Sequence, residues 1–215
     1  NRGVAAAVNL GARYARECMA DALVLFDQDS VAENGLIKKL KQAPNISLGA
    51  AVAAPNVIDM YSKQKVHAAF YARGKTLDSR YTCVNRTQTS GLFIPMRIFE
   101  EIGQFNENYF LNLVDTEWCL KLTAKGYHIL IDNEAILHHS FGEGEANILG
   151  HKFRFGVPFR MYYTARDSLY LLTESRADYA FKMRLATKLI VSFFEVLVLD
   201  DKIIRWKYLF KGVVD

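Results

Sequence analysis

The stretch Ala22-Leu23-Val24-Leu25-Phe26-Asp27-Gln28-Asp29-Ser30 decides how the rest of the chain is read. Five apolar residues run straight into two carboxylates separated by one residue. A continuous apolar run bounded by polar residues suits a strand buried on both faces of a parallel sheet. The acids then fall at the carboxyl end of that strand, where open α/β sheets place their ligands. Two readings stay open at this level. Either Asp27 and Asp29 start a turn and Ser30 caps the next helix, or the acids offer hard oxygen ligands to a divalent cation that carries an anionic group such as a diphosphate.

Working outward, residues 4–20 read as an alanine-rich helix before that strand, and 31–41 as a helix after it, with the basic end Lys38-Lys39-Lys41 suited to a helix C-terminus. Pro44 and Asn45 break it, and 48–54 form a second apolar strand ended by Pro55. This alternation predicts an α/β domain with a mostly parallel sheet and flanking helices. Between 56 and 86 the pattern loosens, and 67–73 and 81–85 read as an inserted pair of strands around Gly74 and Asp78. A strand over 89–95 leads to a short helix over 97–102, and a helix over 115–125 stops at Gly126. Short strands follow over 127–131 and 135–137, the second running into His138-His139.

The 215 residues are 51% hydrophobic, enough for a sizeable core, and the net charge of +4 is too small to argue for nucleic acid. Its distribution is more telling. Residues 151–215 carry 12 Lys/Arg against 7 Asp/Glu, and the rest of the chain is close to neutral. This C-terminal helical extension is also rich in large apolar side chains. Residues 185–199 are nearly all apolar but fall short of the ~20 residues that span a bilayer. Ile203, Trp206 and Phe210 then recur at helical spacing among lysines and an arginine. The pattern admits a pair of helices packed on the domain or on a second subunit, or a membrane-surface contact. Cys18, Cys83 and Cys119 have no metal-ligand spacing and read as reduced, core-packed thiols of a cytosolic protein. The chain opens on Asn1 with no starting Met, which reads as a fragment or processed chain.

Four polar clusters fall at predicted strand ends or helix starts: Asn1-Arg2-Gly3, Asp27-Gln28-Asp29, Val114-Asp115-Thr116-Glu117-Trp118, and His138-His139-Ser140-Phe141-Gly142. Asp115 is either a helix cap or a general base that accepts a substrate hydroxyl proton. His138 and His139 alternate across a strand and cannot both face one site. Asp29 with His139 makes a mixed oxygen and imidazole set, suited to manganese or another transition metal rather than calcium.

In order and composition these clusters resemble family 2 inverting glycosyltransferases of the GT-A fold, in their rhamnosyltransferase-like branch. The resemblance is carried by Asn1-Arg2-Gly3-Val4-Ala5-Ala6-Ala7-Val8-Asn9-Leu10-Gly11, by the Asp27-Gln28-Asp29-Ser30 form of a DxD element, by Thr89-Ser90-Gly91, and by Ile102-Gly103-Gln104-Phe105-Asn106-Glu107-Asn108-Tyr109-Phe110. Val114-Asp115-Thr116-Glu117-Trp118-Cys119-Leu120-Lys121, His139-Ser140-Phe141-Gly142 and Tyr162-Tyr163-Thr164-Ala165-Arg166-Asp167 complete it. Asn106, Lys121 and Asp167 stand where that branch usually has Asp, Arg and Asn. The family's first βαβ unit, roughly seventy residues, is not in this chain, so residues 1–150 correspond to a GT-A core lacking its N-terminal part and 151–215 to the extension.

The resemblance implies transfer of a sugar from a nucleotide diphosphate to an acceptor hydroxyl with inversion. It makes Asp115 the catalytic base, with Glu117 as the other candidate or a ligand of the acceptor hydroxyl. Asn1, Gly3, Asn9, Asp27, Asp29 and Arg166 are the implied donor contacts, Asp27 on the ribose or the outer shell of the metal. For Arg166 an ion pair with Asp167 or Glu174 is the alternative. Thr89, Ser90, Gly91 and Trp118 are the implied acceptor contacts, with helix packing the alternative for Trp118. Asp29 and His139 would hold Mn²⁺ or Mg²⁺. The implied donor is dTDP-L-rhamnose and the acceptor a cell-surface glycan, often polyprenyl-linked, at the cytoplasmic face of the membrane. The rivals are a galactofuranosyl- or hexosyltransferase using a UDP-sugar, and a non-catalytic binding module that would require loss of Asp29 or Asp115. A nucleotidyltransferase would need a glycine-rich loop with a nearby Lys, which the sequence lacks.

Overall fold

A computed structural model describes residues 1–43, 49–65, 75–140, 144–148, 151–174 and 176–215. The expected break at Pro44-Asn45, the start of the second strand at Leu48, the strand at 67–73, Gly74, and Phe141-Gly142 lie outside them. The chain forms two compact units, Asn1–Glu107 with Val114–Ser140, and Asn108–Leu113 with Phe141–Asp215.

The first unit is built on a mixed sheet. Its strands are β1 (Ala22–Val24), β2 (Val31–Ala32), β3 (Ala50–Asp59), β4 (Lys75–Thr76), β5 (Tyr81–Val84), β6 (Phe93–Pro95) and β7 (His128–His139), in the order β1-β6-β3-β7-β5-β4, with β2 also on β7. The α/β class read from the sequence stands, but the sheet is less parallel than expected. Among the described ladders only β3 with β7 is parallel, because β6 runs antiparallel between β1 and β3, and β5 runs antiparallel beyond β7.

The apolar-run argument holds for β3, where every residue from Ala50 to Val57 is buried. It fails for the opening stretch. β1 keeps only three of the five apolar residues, lies at one end of the described sheet, and buries Leu23 alone, while Phe26 is exposed. Pro55 does not end β3. It sits at a bulge, pairing with Asp132 while Asn56 pairs with Ile136, a place where a residue without an N–H is tolerated. The same bulge explains why the two short strands expected at 127–131 and 135–137 are one strand, β7. The stretch at 81–85 belongs to the sheet as β5, not to an insertion, and Val31–Ala32 form β2 against β7 instead of starting a helix.

Helices α1 (Val4–Glu17), α2 (Leu36–Gln42), α3 (Met96–Ile102) and α4 (Val114–Ala124) complete this unit. Helix α2 packs on β3 and β7, and α3 on β6, β1 and α4. Leu36, Leu40, Val52, Ile94, Ile98, Leu122, Ile129 and Leu130 are all essentially inaccessible and form the core. Burying each such side chain contributes about 1.5–3 kcal/mol. Of the cysteines only Cys119 is in this core, where burial pushes its thiol up to about 12; Cys83 is half-buried and Cys18 is exposed at the end of α1.

The second unit holds the hairpin β8 (Gly144–Ile148) and β9 (His151–Phe155) and three helices, α5 (Arg160–Thr173), α6 (Tyr179–Val198) and α7 (Lys202–Val214). Asp178 caps α6 by accepting the Phe181 N–H at 2.8 Å. Met161, Ala165, Val196, Leu199 and Leu209 form the helical core, with Phe193 and Trp206 against it. Gly212 lets α7 lie close on α5, since a Cβ there would run into the Tyr162 carbonyl. Among the described residues no helix is long and apolar enough to cross a membrane.

Candidate active site

The sheet brings the opening stretch and the end of β7 together. After β1 the chain stays tied to the strand behind it, Leu25 N–H donating to Leu92 O and Leu25 O accepting from Gly91 N–H. It then turns through Asp27 to Ser30 and returns as β2, whose Val31 pairs with His138. That register places the two histidines by strand alternation. His138 faces Glu33, with Nε2 to Oε1 at 3.0 Å. His139 faces the acids, its Nδ1 3.2 Å from Asp29 Oδ1 and its Nε2 3.7 Å from Asp27 Oδ2.

Asp27, Asp29 and His139 each offer a ligand atom, and these atoms lie within 4.8 Å of one another. The imidazole is largely buried, while both carboxylates are about half exposed, so the cluster is rigid below and open above. Two carboxylates and one imidazole form a donor set that fits Mn²⁺ or Mg²⁺. Asp27 is therefore a candidate ligand and not only an outer contact. Burial, with Asp29 adding to it, raises the Asp27 carboxyl, and His139 opposes the rise.

Beneath this cluster Ser90 is almost inaccessible, accepts the Asp27 N–H at 3.3 Å and meets Ser30 Oγ at 2.6 Å; Ser30 Oγ in turn lies 3.1 Å from His139 Nδ1. Ser90 and Gly91, expected as acceptor contacts, lie beneath the Asp27, Asp29 and His139 cluster and support it. Gly91 is buried at φ +82°, and a Cβ there would run into the Pro55 ring. Only glycine meets both demands cheaply. The hydroxyls of Ser30 and Ser90 were not singled out from sequence as supports; the signal was a Ser directly after the acids, since such side chains bond locally to turns.

Asp115 stands in the first turn of α4, just after Leu113, whose left-handed backbone (φ 56°) costs about 1–2 kcal/mol. Its Oδ1 accepts from Thr116 N–H at 2.6 Å and Thr116 Oγ1 at 3.3 Å. Burial raises the Asp115 carboxyl above its ordinary range, hydrogen bonds from Thr116 and from the Thr89 backbone lower it, and the charge of nearby Asp27 raises it further. Thr89 thus holds the Asp115 carboxyl through its backbone.

Other expected site residues have partners of their own. Glu117 is buried and pairs with Lys121 one turn on, at 3.3 Å. Trp118 is fully buried, stacked on Phe105 at 5.1 Å, and donates Nε1–H to Gly103 O, so it has no face left for a sugar. Asn9 is buried and clamps Phe105, accepting its N–H and donating to its C=O, both at 2.9 Å, with a further bond to Glu107. That amide tethers α1 to the 105–107 segment; each backbone group orphaned by its loss would cost about 1–3 kcal/mol. Asn1 accepts the Gly3 N–H at 3.0 Å at the exposed start of α1, and Arg2 reaches Glu107.

In the second unit, Arg166 donates Nε and Nη2 to Asp167 Oδ1 and Nη2 to Asn108 O, and lies over the rings of Tyr162, Tyr163 and Tyr170. The ion-pair alternative read from sequence describes it. Asp167 is completely buried, its Oδ2 has no partner among the described residues, and burial pushes its carboxyl up to about 6 from 3.8 despite Arg166. The folded chain therefore holds a proton that the unfolded chain releases between about pH 4 and 6. The stability this gives is full below the lower value and is lost as pH rises through the upper one. Asp167→Asn is expected to raise Tm at pH 8 by a few degrees, about 1–2 kcal/mol, and by roughly half as much at pH 5. Thermal melts at both pH values check this; an equal shift at the two would contradict it.

No family model matches the chain. It is 29% identical over 198 residues to the dTDP-rhamnosyl transferase RfbF of Shigella flexneri, an alignment covering 86% of this chain and 64% of that protein. The chain thus spans somewhat under two thirds of the length of this curated relative. Its fold matches the crystal structure of GalNAc-T7 with UDP, GalNAc and Mn²⁺ at a TM-score of 0.54 and 13% identity, over 85% of this chain and 40% of that one. The mixed sheet with flanking helices, the acid cluster at its edge and these two likenesses agree. The chain has the GT-A fold, and its sequence is similar to a rhamnosyl transferase.

Proposed function

We propose that the chain belongs to an inverting, metal-dependent glycosyltransferase that moves L-rhamnose from dTDP-L-rhamnose to a hydroxyl of a glycan or polyprenyl-linked acceptor at the cytoplasmic face of the membrane. The first unit is the catalytic core and the second a C-terminal extension. The observation that carries the reading is the pairing of one raised carboxyl, Asp115, with a three-donor cluster whose Asp27 is close enough to perturb it. A base on one side and an anion-holding cluster on the other are what displacement with inversion requires.

Asp29, His139 and Asp27 would hold Mn²⁺ or Mg²⁺. When bound, that cation neutralises charge on the leaving diphosphate. Ser30 and Ser90 fix the acid turn and the imidazole so that little reorganisation accompanies binding. The open first turn of α1, which carries no acidic residue, is the assigned contact for donor phosphate near Asn1 and Gly3. Asp115 takes the acceptor hydroxyl proton as that oxygen attacks the anomeric carbon and the bond to the diphosphate breaks on the opposite face. A carboxyl raised by burial is a stronger base than an exposed one and suits this step.

The test offers the protein a panel of nucleotide sugars with Mn²⁺ and follows release of nucleoside diphosphate. Turnover of dTDP-L-rhamnose above all UDP-hexoses, abolished by EDTA and restored by Mn²⁺, is expected. Preference for UDP-galactofuranose or another UDP-sugar would move the donor assignment, and absence of turnover with every donor would overturn the reading.

A further inference from the structure

Helix α6 is apolar on two opposite sides. One side buries Leu185, Ser192 and Val196, the last in the helical core. The other exposes Met183, Ile190, Val191, Phe194, Leu197 and Val198, at spacings that put them on a single arc running most of the length of the helix. From Met183 to Val198 that arc is about 22 Å long. Soluble surfaces carry scattered apolar residues, but a continuous line of this length marks an interaction face. At the end of α6 the chain turns into α7, whose Ile203 is 85% exposed.

The charges around this arc select the partner. Apart from the buried Arg205, residues 179–214 carry six Lys/Arg against three Asp/Glu. Arg184 and Lys188 border the arc on α6, together with Glu195, and Lys202, Lys207 and Lys211 are exposed on α7; Asp200 and Asp201 sit between the helices. A symmetric pairing of two copies would press a net positive surface against itself. An anionic bilayer complements it, taking the apolar side chains below the headgroups and the cations at their level. Because its other face is fixed in the core, α6 is held parallel to such a surface rather than across it.

We infer that the outward face of α6, with Ile203 and the lysines of α7, docks the protein on a bilayer of anionic lipid, with α6 lying in the interface. This deepens the membrane placement proposed above and rests on it for location, but its test needs no sugar transfer. The full chain is incubated with vesicles of phosphatidylglycerol and phosphatidylcholine in equal parts, or of phosphatidylcholine alone, and sedimented. Strong binding to the anionic vesicles only, weakened by salt, is expected. Phe194→Glu with Leu197→Glu, and separately Lys188→Glu with Lys207→Glu, should each weaken it about tenfold or more. All four residues are exposed, so the melting temperature should hold, and Mn²⁺ binding by the first unit should be unchanged. No binding by the wild-type chain, equal binding to neutral vesicles, or unaltered binding by both variants would overturn the inference. So would a dimer in solution that Phe194→Glu dissociates while the wild-type chain ignores vesicles, which would assign the face to a second copy. Loss of vesicle binding with donor turnover intact, or the reverse, separates this inference from the proposed reaction.

Discussion

Asp115→Asn should lower transfer by about 10²–10⁴-fold while leaving Mn²⁺ and donor binding nearly unchanged. The amide keeps the size of the carboxylate, and one oxygen still accepts from Thr116 N–H, now 2.6 Å from Asp115 Oδ1, so the start of α4 is preserved. What is lost is the ability to take a proton. The pH profile gives a second handle. Burial and the charge of Asp27 raise the carboxyl, so kcat/KM should rise with pH through a limb above the ordinary carboxylate range, and that limb should vanish in the variant. Steady-state turnover across pH, with a parallel donor titration, checks both. Transfer at the wild-type rate in Asp115→Asn would remove this residue from the chemistry.

Asp29→Ala should weaken Mn²⁺ binding about 100-fold or more, with a matching fall in turnover at limiting metal. Outer-shell partners of a metal site already cost 10–100-fold when removed, and a direct ligand stands at or above the top of that range. The His139 ring would keep its Ser30 contact, so the local fold should persist. Excess Mn²⁺ should restore part of the turnover in Asp29→Ala and none in Asp115→Asn, which separates a holding role from a chemical one. Calorimetric titration with Mn²⁺ reads the first effect directly; equal affinity in the variant and the wild type would show that Asp29 is not a ligand.

The parts of this site that the sequence made legible are those set by short range. Asp27 and Asp29 follow an apolar run, and Asp115 opens a helix. Strand alternation separates His138 from His139. Glu117 was excludable by the same logic: two positions along a helix is a rotation of about 200°, so it cannot share the outlook of Asp115. Trp118 and Asn9 were harder, since each lies within a motif, and their roles are decided by Phe105, a residue distant in sequence that stacks on one and is clamped by the other. The mostly parallel sheet failed for a comparable reason. An apolar run tells of burial, not direction, and nothing local in Phe93–Pro95 marks a strand that inserts between two others against their sense. β1 shows the converse error, since its five apolar residues look like those of β3 but it has a described neighbour on one side only.

The pairing of β2 with β7 has a consequence for how the site comes into being. Ser30 and His139 are 109 positions apart, and a pairing across such a loop is among the slowest events in folding because closure entropy precedes any gain. Their alignment also has no tolerance: a slip of one residue would send His139 to the Glu33 side and bring His138 to the acids. A chain with its helices formed and this pairing absent or misregistered would hold two loose carboxylates and no site. Competence to bind a cation therefore arrives last and all at once, with the completed sheet, so a partly folded chain cannot capture metal or donor before it can use them.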